Sequence, residues 1–108
     1  MRRAESEYDF LTITPQLPPA IMQQRIEHVL DTLGFESLRQ ENDGGFVYQV
    51  PNKGTIKAHY GRAIYDDPEL GDREADCLLY YNGLDEVIRE QVRERLEEEF
   101  NDETVRAA

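Results

Sequence analysis

Apolar residues recur at spacings of three and four in two stretches of the chain, and at spacings of two in several others. The longest helical run covers residues 84–100, where Leu84, Val87, Ile88, Val92, Leu96 and Phe100 form one stripe at 3.6 residues per turn. Asn82 is the expected N-cap, with Asp85 three residues on completing a capping box; Asp85 and Glu86 also suit the positive end of the helix dipole. A second amphipathic stripe runs through Ile21, Met22, Ile26, Val29, Leu30 and Leu33. Pro18-Pro19 opens it, where missing N–H groups do no harm, and Gly34 closes it.

Period-two alternation predicts the strands. Residues 8–14 (YDFLTIT) are rich in aromatic and β-branched side chains and read as a first strand that stops at Thr14-Pro15. Residues 35–41 carry only Phe35 and Leu38 among polar neighbours, which suits an edge. The Asn42-Asp43-Gly44-Gly45 turn leads to a half-buried strand through Phe46, Tyr48 and Val50, and Pro51-Asn52-Lys53-Gly54 turns the chain again. Residues 55–65 set Ile56, Ala58 and Tyr60 against Lys57 and His59 on the other face, with Gly61 marking a bulge. Residues 66–74 (DDPELGDRE) read as a loop. Residues 75–81 are apolar on both faces, so the strand is expected to be central or covered on both sides.

The order is strand, helix, four strands, helix. Short turns between the later strands make an antiparallel meander, and the first helix carries the first strand back to it. The predicted fold class is α+β: a two-layer sandwich of an antiparallel sheet of about five strands, with both single-striped helices on one face. This order resembles that of cystatin-like folds with an added helix, a likeness of architecture alone. At 108 residues one domain is expected, with residues 1–7 and 102–108 as flexible termini.

Charge changes this picture more than composition does. The net charge is −11, and residues 66–103 carry all of it, with 15 acidic and four basic side chains; the remainder holds eight of each sign. An adaptation to high salt spreads acid over every surface. Acid gathered in one segment points instead to a face that attracts basic proteins and repels nucleic acid. Glu86, Glu90, Glu94 and Glu98 step by four along the second helix, where like charges cost about 0.2–0.5 kcal/mol per pair before neighbouring arginines relieve them. Glu97, Glu98 and Glu99 also sit at the negative end of the helix dipole. A solvated, salt-bridged face accounts for such a helix; a surface kept negative for a partner is the sharper reading.

Chemistry is sparse. His59 is the best catalytic candidate, but Tyr60 points to the opposite face and no orienting partner can be placed. His28 falls on the polar side of its helix. Two histidines and the single Cys77, far apart, make no metal-ligand spacing, and the acids of residues 66–74 do not follow the calcium-loop pattern. No metal, cofactor, phosphate loop or nucleophile motif is predicted. Met1-Arg2-Arg3 is followed by no apolar segment, so a cytoplasmic protein without membrane association is expected.

Two functional classes follow. The first is a non-enzymatic acidic binding module, of adaptor, chaperone-like or nucleic-acid-mimic type, that meets a basic protein partner through Glu86, Glu90, Glu94, Glu98, Asp66, Asp67 and Asp72. The second is a small-molecule enzyme or ligand carrier using an open sheet face of Gln49, Lys57, His59 and Tyr80. The central strand offers Cys77, Leu79 and Tyr81 to one face and Leu78 and Tyr80 to the other, and two helices shelter only one of these sets, so the other, with Tyr80 or Tyr81 according to phase, is expected to leave an apolar patch. A homodimer that tightens as salt rises is the corresponding expectation.

Overall fold

The structure is a computed structural model that describes residues 2–3, 10–14, 16–67, 71–100 and 105–107; the side chains of residues 2, 3, 10, 67, 106 and 107 lie outside that description. Its elements are β1 (Arg2–Arg3), β2 (Phe10–Ile13), α1 (Pro19–Thr32), β3 (Glu36–Gln40), β4 (Phe46–Gln49), β5 (Thr55–Asp67), β6 (Gly71–Asn82), α2 (Glu86–Phe100) and β7 (Val105–Ala107). The five predicted strands form one antiparallel sheet in the order β3-β4-β5-β6-β2, and β7 extends it beyond β2. β1 pairs in parallel with Ala63 and Ile64 of β5. β7 falls in a stretch expected to be loose, yet Val105 pairs with Ile13 and is buried.

Both helices pack on the same face of the sheet, as the single stripes required. Met22, Ile26, Val29 and Leu30 of α1 and Val92 and Leu96 of α2 share one buried cluster with Leu11, Ile13, Ile56, Ala58, Cys77 and Leu79. The helices are also tied side by side. Arg25 Nε lies 2.9 Å from Glu99 Oε1, its Nη2 donates to the Glu99 carbonyl at 2.6 Å, and its guanidinium sits 4.5 Å over the Phe100 ring. α1 starts with Pro19 in its first turn and stops at Gly34, whose φ of 82° frees Phe35 N–H to reach the Leu30 carbonyl and Gly34 N–H to reach that of Asp31.

Three sequence expectations need correction. Residues 66–67 and 71–74 are not loop: β5 and β6 continue their ladder out to Asp66↔Asp72 and Asp67↔Gly71, with residues 68–70 outside the described ones. Backbone pairing needs only N–H and C=O groups, so a run of polar side chains does not end it. Asn82 does not cap α2 either. It remains paired with Thr55, Gly83 turns the chain at φ 73°, and Asp85 Oδ1 accepts the Ile88 N–H at 2.9 Å as the N-cap. Val87 is not part of the buried stripe. Five residues before Val92, it lies about 140° around the helix, and it is 68% exposed.

The fourth correction concerns the sheet face away from the helices. At the centre it is closed rather than open. His59 is only 7% exposed, and Thr12, Val47 and Leu78 are buried. One extra residue between Tyr60 and Ala63 shifts the register, with Gly61 at φ 122°, as a bulge does. Beyond it, Ala63, Tyr65 and Ala75 gather with Leu78 into a second buried cluster, against which Tyr80 packs. The apolar patch from which a dimer was expected is thus covered within the chain.

Candidate functional site

The outer face of α2 carries the acidic ladder. Glu86, Glu90, Glu94 and Glu98 are all exposed, on the side of the helix away from Val92 and Leu96. Arginines take up part of the charge: Arg93 pairs with Glu90 and reaches Glu97 at 3.9 Å, while Arg95 Nε lies 3.5 Å from Glu98. Glu99 turns inward to Arg25. The three carboxylates at the unfavourable end of the dipole therefore each have an arginine beside them. Glu86 and Glu94 have no cation within ion-pair distance among the described residues. These two border a shallow depression with Val87, Glu90 and Gln91.

The remaining acidic candidates lie on the β5–β6 ribbon. Asp66 and Asp72 are exposed and face each other across the ladder, and Asp67, opposite Gly71, has its side chain outside the described ones. Cross-strand like charges are unfavourable, so this end of the ribbon presents negative charge that the sheet itself does not require. Among the described residues no group of three or more His, Cys, Asp or Glu side chains is arranged to hold a metal ion.

The four residues expected on an open face are brought only partly together. Lys57 stands opposite Tyr80 and His59 opposite Leu78 on β5 and β6. The His59 and Tyr80 rings meet edge to face, with centroids 5.8 Å apart. Lys57 Nζ lies 2.6 Å from Asp43 Oδ2 and 2.8 Å from Glu41 Oε1, which commits the ammonium group to the β3–β4 turn. Gln49 instead donates to the carbonyls of Val50 and Gly54 and braces the next turn. Gly45 leaves room for the cluster, since a Cβ there would overlap Lys57 Cε and lie 2.8 Å from His59 Cε1.

The Lys57 hydrogen bond, then the Gly45 N–H, pull the Asp43 carboxyl from its ordinary 3.8 down to about 2; Glu41 is lowered by Lys57 and Arg39, and Lys57 is raised by its two carboxylates. A depressed carboxyl supports the fold above its ordinary value, and that support is lost as pH falls through the folded one. A carboxyl-detected NMR titration is expected to place Asp43 at about 2 in the native protein. Lys57→Met should move it back towards 3.8. A native midpoint near 3.8 before the substitution would contradict the ion pair.

Sequence reasoning missed a second polar group, on the helix side of the sheet. Tyr48 Oη donates to Glu27 Oε2 at 2.8 Å, and the Tyr60 hydroxyl, 2.7 Å away, donates to Tyr48. Burial above all pushes both phenols above the usual tyrosine range. Glu27 and Tyr48 also wall a cleft of about 390 Å³ between α1 and β3, with Leu30, Asp31, Phe35, Glu36 and Ser37. The signal available in the sequence was Tyr48 and Tyr60 on the helix-facing side of their strands. Their pairing with Glu27 depends on where α1 docks.

The fold and these sites define a two-layer α+β protein with an acidic outer helix. No protein-family model matches the chain, and no curated protein or solved structure matches it. Among the described residues no helix is long and apolar enough to cross a membrane.

Proposed function

We propose that this chain is a non-enzymatic binding module that recognises a protein with a basic surface through the acidic side chains of α2 and the β5–β6 ribbon. The observation that carries the reading is the outer face of α2, where Glu86 and Glu94 stand exposed without a neutralising cation among the described residues. Carboxylates held at fixed spacing on a rigid element offer a partner electrostatic complementarity, which governs specificity and encounter rate. The buried, free Cys77 suits a reducing compartment, and the cytoplasm is the proposed setting.

The alternative, a small-molecule enzyme or carrier built on His59, has less support. Its ring is buried against Tyr80, and Lys57 is held by two carboxylates. Pull-down from lysate at low and high salt tests the main reading: retained proteins should be more basic than background and should be released as salt rises. Partners no more basic than background, or binding indifferent to salt, would count against it.

A further inference from the structure

The depression on α2 has the geometry of a helix-packing hole. Val87, Glu90, Gln91 and Glu94 stand at positions i, i+3, i+4 and i+7, with Glu86 at the rim. Four residues in this arrangement form the socket that receives one side chain, a knob, from a facing helix. The socket spans about 10 Å along the helix axis at 1.5 Å per residue. In α2 it faces away from the core. Val87, 68% exposed, supplies an apolar contact, while Glu86 and Glu94 carry charge that no described cation neutralises.

We infer that this socket receives an arginine or lysine knob from a helix of the partner protein. The inference rests on the proposed function and commits it to one surface and one occupant. Both requirements of the socket select such a side chain. Its methylene stem covers Val87, and its cationic head reaches Glu86 or Glu94. Helical presentation suits the two open carboxylates: Glu86 and Glu94 stand eight residues apart, about 12 Å along the axis, a spacing that basic side chains eight residues apart on a facing helix reproduce, while Arg93 and Arg95 take up Glu90 and Glu98.

The test uses the full chain and two synthetic peptides of equal length and equal charge. One is an alanine-based helix with arginines four residues apart on a single face. The other has the arginines redistributed and a central proline that prevents the helix. Binding is read by fluorescence anisotropy at low salt, with circular dichroism confirming that each variant is folded. The helical peptide is expected to bind about tenfold tighter than its counterpart, and Val87→Arg, which fills the socket with a cation of the chain's own, should weaken it by about tenfold. The double substitution Glu86→Gln with Glu94→Gln should do the same. All three positions are exposed, so these variants keep the core intact.

Equal, salt-sensitive binding of both peptides overturns the helical socket and leaves the broader acidic-module reading standing. So does tight helical binding that Val87→Arg does not change. Failure of both peptides to bind even at low salt, together with a pull-down that retains no basic protein, overturns both.

Discussion

Gly54→Ala should lower stability by about 3 kcal/mol, at the upper end of what overpacking usually costs, read as a reduced urea midpoint with an unchanged slope. Gly54 ends the turn after β4, where its carbonyl accepts the Val50 N–H at 3.0 Å. Its Cα faces the corner at which β6 hands over to α2. A Cβ built there would overlap the Asn82 carbonyl oxygen and lie 2.8 Å from the carbonyl carbons of Asn82 and Gly83. These are backbone atoms, and Asn82 is paired with Thr55 in the ladder, so nothing can swing aside. Relief requires parting β5 from β6 or moving the start of α2.

Gly45→Ala is the informative comparison. Its Cβ meets the side chains of Lys57, His59 and Asp43, of which the lysine is flexible, and a smaller loss follows. A Gly54→Ala protein with the midpoint of the unsubstituted chain would show that the corner is not closed in this way.

Tyr48→Phe should cost about 2 kcal/mol and Tyr60→Phe about 1 kcal/mol, because the two hydroxyls occupy different places in one hydrogen-bonded chain. Removing the Tyr48 hydroxyl takes the acceptor from Tyr60 and a donor from Glu27 together. Tyr48 is 2% exposed, so water does not readily replace what is lost. Removing the Tyr60 hydroxyl takes away one donor and leaves the Tyr48–Glu27 bond in place. In the double variant there is no stranded Tyr60 hydroxyl, and the two losses should fall short of additivity by about 1 kcal/mol. Urea unfolding of all four proteins measures the cycle; strictly additive losses would show that the hydroxyls do not depend on each other.

The same pair fixes a pH dependence. Both phenols are raised above their ordinary 10.0. Their contribution is therefore fully present below about pH 10, and it is lost as pH rises from there through the folded values.

What could be read from residue order alone was whatever depends on near neighbours. The stripe of α1 and its stop at Gly34 are local, since a positive-φ glycine and two backbone hydrogen bonds settle the helix end. The bulge at Gly61 and the edge position of β3 were legible for the same reason: a phase change and a scarcity of apolar residues are properties of the strand itself. The concentration of acid in residues 66–103 needed no structure at all.

Tertiary structure decided what depends on distant partners. Asn82 was expected to cap α2, but its pairing with Thr55 holds it in β6 and passes the cap to Asp85. Val87 fits the spacing of an apolar stripe, yet which part of a stripe is buried depends on how the helix docks, and Val92 and Leu96 meet the sheet instead. His59 and Leu78 were assigned to an open face by alternation, which says what shares a face and not what covers it. Tyr48, Tyr60 and Glu27 meet only because α1 crosses the sheet at that point. A helical or strand period is set by the backbone within a few residues. Burial, pairing and ion contacts are set by chain segments that the period does not relate.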